Sequence, residues 1–343
     1  MISIFLPMTS ISRRSCIALS SAALFSSSAQ AQLFSKLKKK EENSSAMPAL
    51  KRQLPMSTIF KGEARFNGIV KKAQKDNWIK LPMGERIMKC AYELRGLPYV
   101  NFTLEIDDHI ESPSVNLDGL DCWTFFEQCL GIARMLGSEK SHYNPEDLLR
   151  EIQFTRYRGG HCSGNYLERI HYLAEWFIEN DARGSCDYIT PQLKGAELIH
   201  GRKISEMTIL WKSYRYLKNN PDLRAPMKQR EDRVAAMPVH YIPKSRVAET
   251  ESQLRNGDVI GIATKHHGGY CSHVGLIART DDGVARFMHA SRNYKKVVID
   301  KSISGYLNDF SSHAGIIVGR PLELSETVTD ASQYQANLKK LIG

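Results

Sequence analysis

No two cysteines form a CxxC pair, no HExxH stretch occurs, and beyond residue 25 no apolar run approaches the length of a membrane span. The first absence excludes zinc ribbons and thioredoxin-like redox pairs. The second argues against a zinc hydrolase, and with His266-His267 lacking an evident third ligand, neither metal nor organic cofactor is expected. The third leaves no integral membrane segment after the N-terminal leader. There is no internal repeat, and charge of one sign is scarcer than its total suggests. The formal net charge is +10, but residues 1–31 hold Arg13 and Arg14 with no acid. Residues 32–60 hold Lys36, Lys38, Lys39, Lys40, Lys51 and Arg52 against only Glu41 and Glu42, so these two stretches carry +6 and leave +4 for the rest. A body so mildly basic is not a general polyanion binder, which excludes nucleic acid as a partner.

What is present begins with an export signal. Arg13-Arg14 precede an apolar, small-residue run over 16–25, and Ala29-Gln30-Ala31 supplies the small side chains that signal peptidase requires. Residues 1–31 therefore read as a leader of the general or twin-arginine type, directing the protein to the periplasm. Residues 32–58 form a basic linker and 59–321 the folded domain, within which 181–240 is a polar helical or loop insertion. Residues 322–343 form a C-terminal tail. Export permits disulfides, so a thiol that stays free there needs a reason. A Cys162–Cys186 bridge is one open possibility.

The hydrophobic pattern changes period along the domain. Helical spacing of Ile87, Cys90, Ala91 and Leu94 predicts a helix over 82–97, closed by Gly96 and Pro98. Residues 122–136 are apolar on nearly every face, the mark of a buried helix. Further helices are expected over 145–153 and 165–180. The last third turns to short β-rich runs at 258–263, 273–278, 285–290, 297–300 and 315–318, with hairpin chemistry at Asp282-Gly283. Helices first and an antiparallel meander afterwards describe an α+β fold.

Chemistry concentrates where these two halves would meet. Asp121 is a good N-cap, so Cys122 falls in the first turn of the buried helix. There the unpaired N–H groups and the helix dipole favour a thiolate and can hold an oxyanion. A thiol nucleophile needs a base that titrates near neutrality. His273 opens one strand and His289 lies in the next, so one imidazole can orient the other. Cys162 also precedes a helix and is the second candidate nucleophile, although its glycine-rich loop is less suited to holding one. Cys129 and Cys271 read as packing residues.

With these residues in hand, the chain resembles the NlpC-type papain-like cysteine peptidases and amidases of peptidoglycan. Gly96-Leu97-Pro98-Tyr99, Asp121-Cys122, His273-Val274-Gly275 and His289-Ala290-Ser291 occur in that superfamily's order. Within it the chain is most similar to a branch first catalogued as a domain of unknown function and later as N-acetylmuramoyl-L-alanine amidase-like. The marks of that branch are residues 94–105, 116–127, Arg156-Tyr157-Arg158-Gly159-Gly160 and Arg169-Ile170-His171-Tyr172. Trp123-Thr124 replaces the superfamily's Ser-Gly after the cysteine, which favours this branch. The resemblance implies a papain-like fold in which the cysteine helix packs on a β half-barrel. It further implies hydrolysis of the lactyl–L-Ala amide of muropeptides, chiefly anhydro fragments, by a monomer. Cys122, His273 and His289 would be catalytic, while Tyr99, Asn116 and Asp121 would bind substrate or the oxyanion. Two alternatives stay open: a γ-D-glutamyl-diamino-acid endopeptidase, and a non-catalytic wall-binding module.

Overall fold

A computed structural model describes residues 48–51, 53–265 and 271–343. The leader, Cys16, the lysine cluster 36–40 and His266-His267 lie outside the described residues. Five longer helices come first: α1 (Glu63–Lys75), α2 (Met83–Leu94), α3 (Cys122–Gly137), α4 (Pro145–Arg156) and α5 (Leu173–Ala182). The insertion contributes α6 (Arg224–Ala236) together with short helical turns. The strands are β1 (His240–Pro243), β2 (Val259–Thr264), β3 (Cys271–Arg279), β4 (Ala285–Ser291), β5 (Lys296–Ser302) and β6 (His313–Pro321). Helix α7 (Ile303–Asn308) links β5 to β6, and α8 (Ala331–Ile342) follows. The sheet is antiparallel in the order β1-β6-β2-β3-β4-β5, extended at one edge by the two-residue strand Glu197–Leu198. Helices followed by an antiparallel sheet make the α+β architecture that the change of period predicts.

Helix α3 is the centre of the packing. It touches α2 and α4 on one side and β3 and β4 on the other. Phe125, Phe126, Leu130, Ile132, Met135 and Leu136 are all essentially inaccessible to solvent. At roughly 1.5–3 kcal/mol per large apolar side chain, this burial is a major part of what holds the helices to the sheet. Asp121 starts the helix with a capping box: its carboxylate accepts from the Thr124 N–H, and Thr124 Oγ1 accepts from the Asp121 N–H.

The loop leading into α3 is fixed by buried charge. Arg156, at the end of α4, donates to Glu127 Oε2 at 2.7 and 2.9 Å and to the Ser114 carbonyl at 3.0 Å, and both ionic side chains are fully buried. Tyr157 donates to Glu111 at 2.7 Å, and Arg158 holds Glu175 through two hydrogen bonds. The Arg-Tyr-Arg segment is thus a clamp between loop 111–114, α3 and α5.

Two elements differ from expectation. Of the helix expected over 165–180, only Leu173–Ala182 is α-helical. Tyr166 instead stacks on Tyr216 of the insertion, with ring centroids 4.4 Å apart, and Arg169 turns inward to Glu105 and Glu111. The stretch 322–343 is not merely a tail, since α8 packs on α5 and Tyr334 donates to Glu179 at 2.7 Å. Among the described residues no helix is long and apolar enough to cross a membrane. Replacing Arg156 by Met leaves Glu127 buried without its partner. Urea unfolding should then show a loss of about 3–5 kcal/mol, and a loss below about 1 kcal/mol would contradict the clamp.

Candidate active site

Cys122 occupies the first position of α3, half-buried, with its sulfur against strand β3. The backbone N–H groups of Val274, Trp123 and Cys122 itself favour its thiolate, yet burial, reinforced by the Asp121 carboxylate, outweighs them and pushes the thiol up to about 12. The sequence argument for a stabilised thiolate captures the N–H groups but not this burial. His273 is the neighbour of Val274 on β3 and lines the same cavity as Cys122. A register shift opposite β2, between the pairs Ile262–His273 and Ala263–Cys271, bulges the strand beside this histidine. Bulges of this kind re-aim side chains next to functional sites.

His273 Nε2 lies 2.7 Å from His289 Nδ1, and the two rings meet edge to face at 4.8 Å. That contact commits His273 Nε2 to His289. His289 Nε2 faces Asp300 Oδ2 at 3.5 Å, at the outer limit of a hydrogen bond. One tautomer set satisfies the whole series: His289 Nε2–H faces the Asp300 carboxylate, and His273 Nε2–H donates to His289 Nδ1. His273 Nδ1 then keeps its lone pair. The strand backbones approach closely here, for a Cβ on Gly275 would lie 2.5 Å from the Met288 carbonyl oxygen. Tyr306 of α7 packs on both imidazoles. Burial, then the neighbouring His289 and His313, holds His273 well below its usual range. His289 is also lowered by burial, against the opposing pull of Asp300, and His289 in turn lowers Asp300.

The other expected site residues are distributed unevenly. Tyr99 stands close enough to Cys122 and Asp121 that, after burial, their charges help raise its phenol to about 12. Asp121 is committed to capping, accepting from Thr124 and from the Thr103 hydroxyl at 2.7 Å. Asn116 Oδ1 accepts from the Asp118 N–H in a tight turn, and like Tyr99 and Asp121 it is not among the residues lining the cavity. Cys162, the rival nucleophile, is buried with its thiol donating to the Glu111 carbonyl and lies outside the cavity lining. Cys162 and Cys186 are both free thiols. Asp300 was missed by sequence reasoning, although the run 297–300 was recognised as a strand. His289 pairs with Val298, so Asp300, two residues along β5, shares its face.

The cavity in front of Cys122 has a volume of about 210 Å³. Cys122 and Trp123, loop residues Leu104 and Glu105, segment 169–174 and residues 271–274 of β3 form most of it. The insertion completes it with Arg202, Ile204, Glu206, Met207, Tyr214 and Val234. Glu231 of α6 fixes this wall, accepting from Tyr172 and from the Thr208 N–H. The insertion 181–240 therefore helps to shape the cavity. Among the described residues no three His, Cys, Asp or Glu side chains group as a metal site.

With this geometry established, the comparisons are specific. The model of the N-acetylmuramoyl-L-alanine amidase-like family matches residues 89–316. An N-acetylmuramoyl-L-alanine amidase from Bacteroides uniformis is 30% identical, with 70% of this chain and 99% of that chain covered and a TM-score of 0.63. A Bacteroides fragilis protein described as a candidate xylanase is 31% identical over 67% of this chain and 98% of its own, with a TM-score of 0.61. Protein LPG0564 from Legionella pneumophila shares the fold at 21% identity, covering 75% of this chain and 94% of that one, with a TM-score of 0.57. No curated protein matches the chain.

The raised thiol gives a direct test. The thiolate fraction at Cys122 should grow as pH approaches about 12. Its iodoacetamide alkylation, located by peptide mass mapping, should keep rising above about pH 8. A rate that levels off below about pH 8 would show a preformed thiolate and contradict the dominance of burial.

Proposed function

The chain belongs to the N-acetylmuramoyl-L-alanine amidase-like family, and on that premise we propose that it is an exported cysteine amidase cutting the lactyl–L-Ala bond of muropeptides. The observation carrying this reading is the juxtaposition of a helix-N-terminal thiol with a strand N–H aimed at its sulfur, one residue from a histidine linked to a second histidine and a carboxylate. The leader-like residues 1–31 support export to the periplasm. In a papain-like reading of the fold, Cys122 is the nucleophile and His273 its base.

As the Cys122 sulfur attacks the lactyl carbonyl carbon, its proton passes to His273 Nδ1. The carbonyl oxygen becomes an oxyanion, received by the unpaired N–H groups at the start of α3 with Tyr99 alongside. Collapse breaks the C–N bond, and the imidazolium returns its proton to the departing L-alanine amine, leaving a thioester. A water molecule gives a proton to His273 and attacks the thioester. The products are the lactyl carboxylate and the regenerated thiol. His289 holds the His273 ring, and Asp300 supplies negative charge behind the developing imidazolium. Starting from a neutral thiol and a neutral imidazole, the charges arise only during reaction, where the aligned dipoles meet them.

The cavity suits a small fragment rather than an intact wall strand. A glycoside hydrolase would need two available carboxylates flanking the bond. Here Glu105 is occupied by Tyr166, Arg169 and the Arg215 N–H, and Glu206 accepts from Tyr214 at 3.3 Å. These commitments favour amide over glycoside hydrolysis.

Cys122→Ala should abolish release of L-Ala-headed peptide from N-acetylmuramoyl peptides, read by mass spectrometry, while the circular dichroism spectrum is retained. Persisting activity, or cleavage at the γ-D-glutamyl bond instead, would overturn the assignment. His273→Ala should lower kcat roughly 10²–10⁴-fold. Asp300→Asn should cost about tenfold or more, within the range of roughly 10–10⁴-fold for carboxylates behind functional histidines. Because His273 must be neutral to accept the proton and its pKa is lowered, the acidic limb of kcat/KM should fall below pH 6.5. A limb above 6.5 would contradict this.

A further inference from the structure

Phe102 has two properties that neither the packing nor the proposed chemistry uses. Its backbone lies at φ +59, a left-handed conformation that bulky side chains seldom adopt. It is also 70% exposed, more than any other large apolar side chain among the described residues. Strain at such a position persists only where the surroundings enforce it. Here they do. The Tyr99 N–H donates to the Lys295 carbonyl at 2.9 Å, and the Val100 N–H to the Leu120 carbonyl at 3.0 Å. On the other side Thr103 Oγ1 donates to Asp121 Oδ2 at 2.7 Å and touches Thr124 Oγ1 at 3.0 Å. The ring is thus presented to solvent by a loop tied to the residue that precedes Cys122. Leu104 and Glu105, immediately after, line the cavity. Across the Tyr99–Lys295 bond stands a second exposed aromatic, Tyr294, at 55%.

The two halves of a muropeptide differ in the chemistry that recognises them. The peptide is charged, whereas the pyranose ring is uncharged and has a flat face of C–H groups that stacks on aromatic rings. The cavity wall is charged, through Arg202 and the internally paired Glu105, Arg169 and Glu206, a setting for the peptide rather than for an uncharged ring. Resting on the amidase reading, we infer that Phe102 is the stacking platform for the muramoyl ring and sets specificity for sugar-bearing substrates.

Calorimetric titration of the Cys122→Ala protein tests this with two probes that differ only in the ring: N-acetylmuramoyl-L-alanyl-D-isoglutamine and lactoyl-L-alanyl-D-isoglutamine. Phe102→Ala in that background should weaken the first probe by roughly three- to tenfold and leave the second within about twofold. Phe102→Gly, which relaxes at the positive φ, should lose as much as Phe102→Ala, while Phe102→Trp should keep the affinity. Equal weakening of both probes, or no weakening of either, overturns the inference and leaves the amidase reading intact. Binding of neither probe by the Cys122→Ala protein overturns both.

Discussion

Helix α3 has no face it can turn to water: α2 and α4 cover one side, the sheet covers the other, and even Glu127, Gln128 and Arg134 on it are buried. A helix enclosed in this way must begin at a sharply defined place, because its first N–H groups also lack intrahelical partners. The Asp121–Thr124 capping box fixes that place, and Arg156 with Glu127 and Ser114 fixes the approach to it. Cys122 is the residue that results, set against β3 at the point where the strand bulges beside His273. The family-marking Arg-Tyr-Arg segment thus bears on the site without touching it, by holding the loop that delivers the sulfur.

The same enclosure governs the electrostatics. Burial raises the thiol of Cys122 and lowers His273 and His289, so each group is favoured in its neutral form. Asp300 keeps its charge at the far end of the series, where its lowered pKa reflects the histidine it faces. A neutral resting pair costs little to maintain. In the proposed reaction, charge separation is supported at both ends, by N–H groups at the sulfur and by a carboxylate behind the imidazoles.

Much of this was legible in the sequence, and what was not has physical causes. Cys122 stands out through local signals, an N-cap followed by an apolar run. His273 and His289 stand out through strand period and the turn at Gly283, which adopts φ +75. Asp300 was hidden because its alignment with His289 depends on cross-strand register, and the β4–β5 ladder shifts between Arg286 and Met288. Asn116 reads alike in two roles, since an asparagine beside such a turn looks the same whether it faces substrate or closes the turn, and in the structure its side chain closes the turn. Residues 166–172 carry helical aromatic spacing, yet Tyr166 and Tyr172 are drawn to Tyr216 and Glu231, more than forty residues away. The cavity wall made by 202–214 was invisible for the same reason, since its partners are distant in sequence.

The central claim is that the Cys122 sulfur forms a bond to the lactyl side of the substrate. Acid-quenching the enzyme during turnover of an N-acetylmuramoyl peptide, followed by mass mapping, tests it most directly. The account predicts a muramoyl mass on the peptide containing Cys122, with L-alanine already released. An adduct on Cys162 or Cys271, or turnover with every cysteine unmodified, would contradict it.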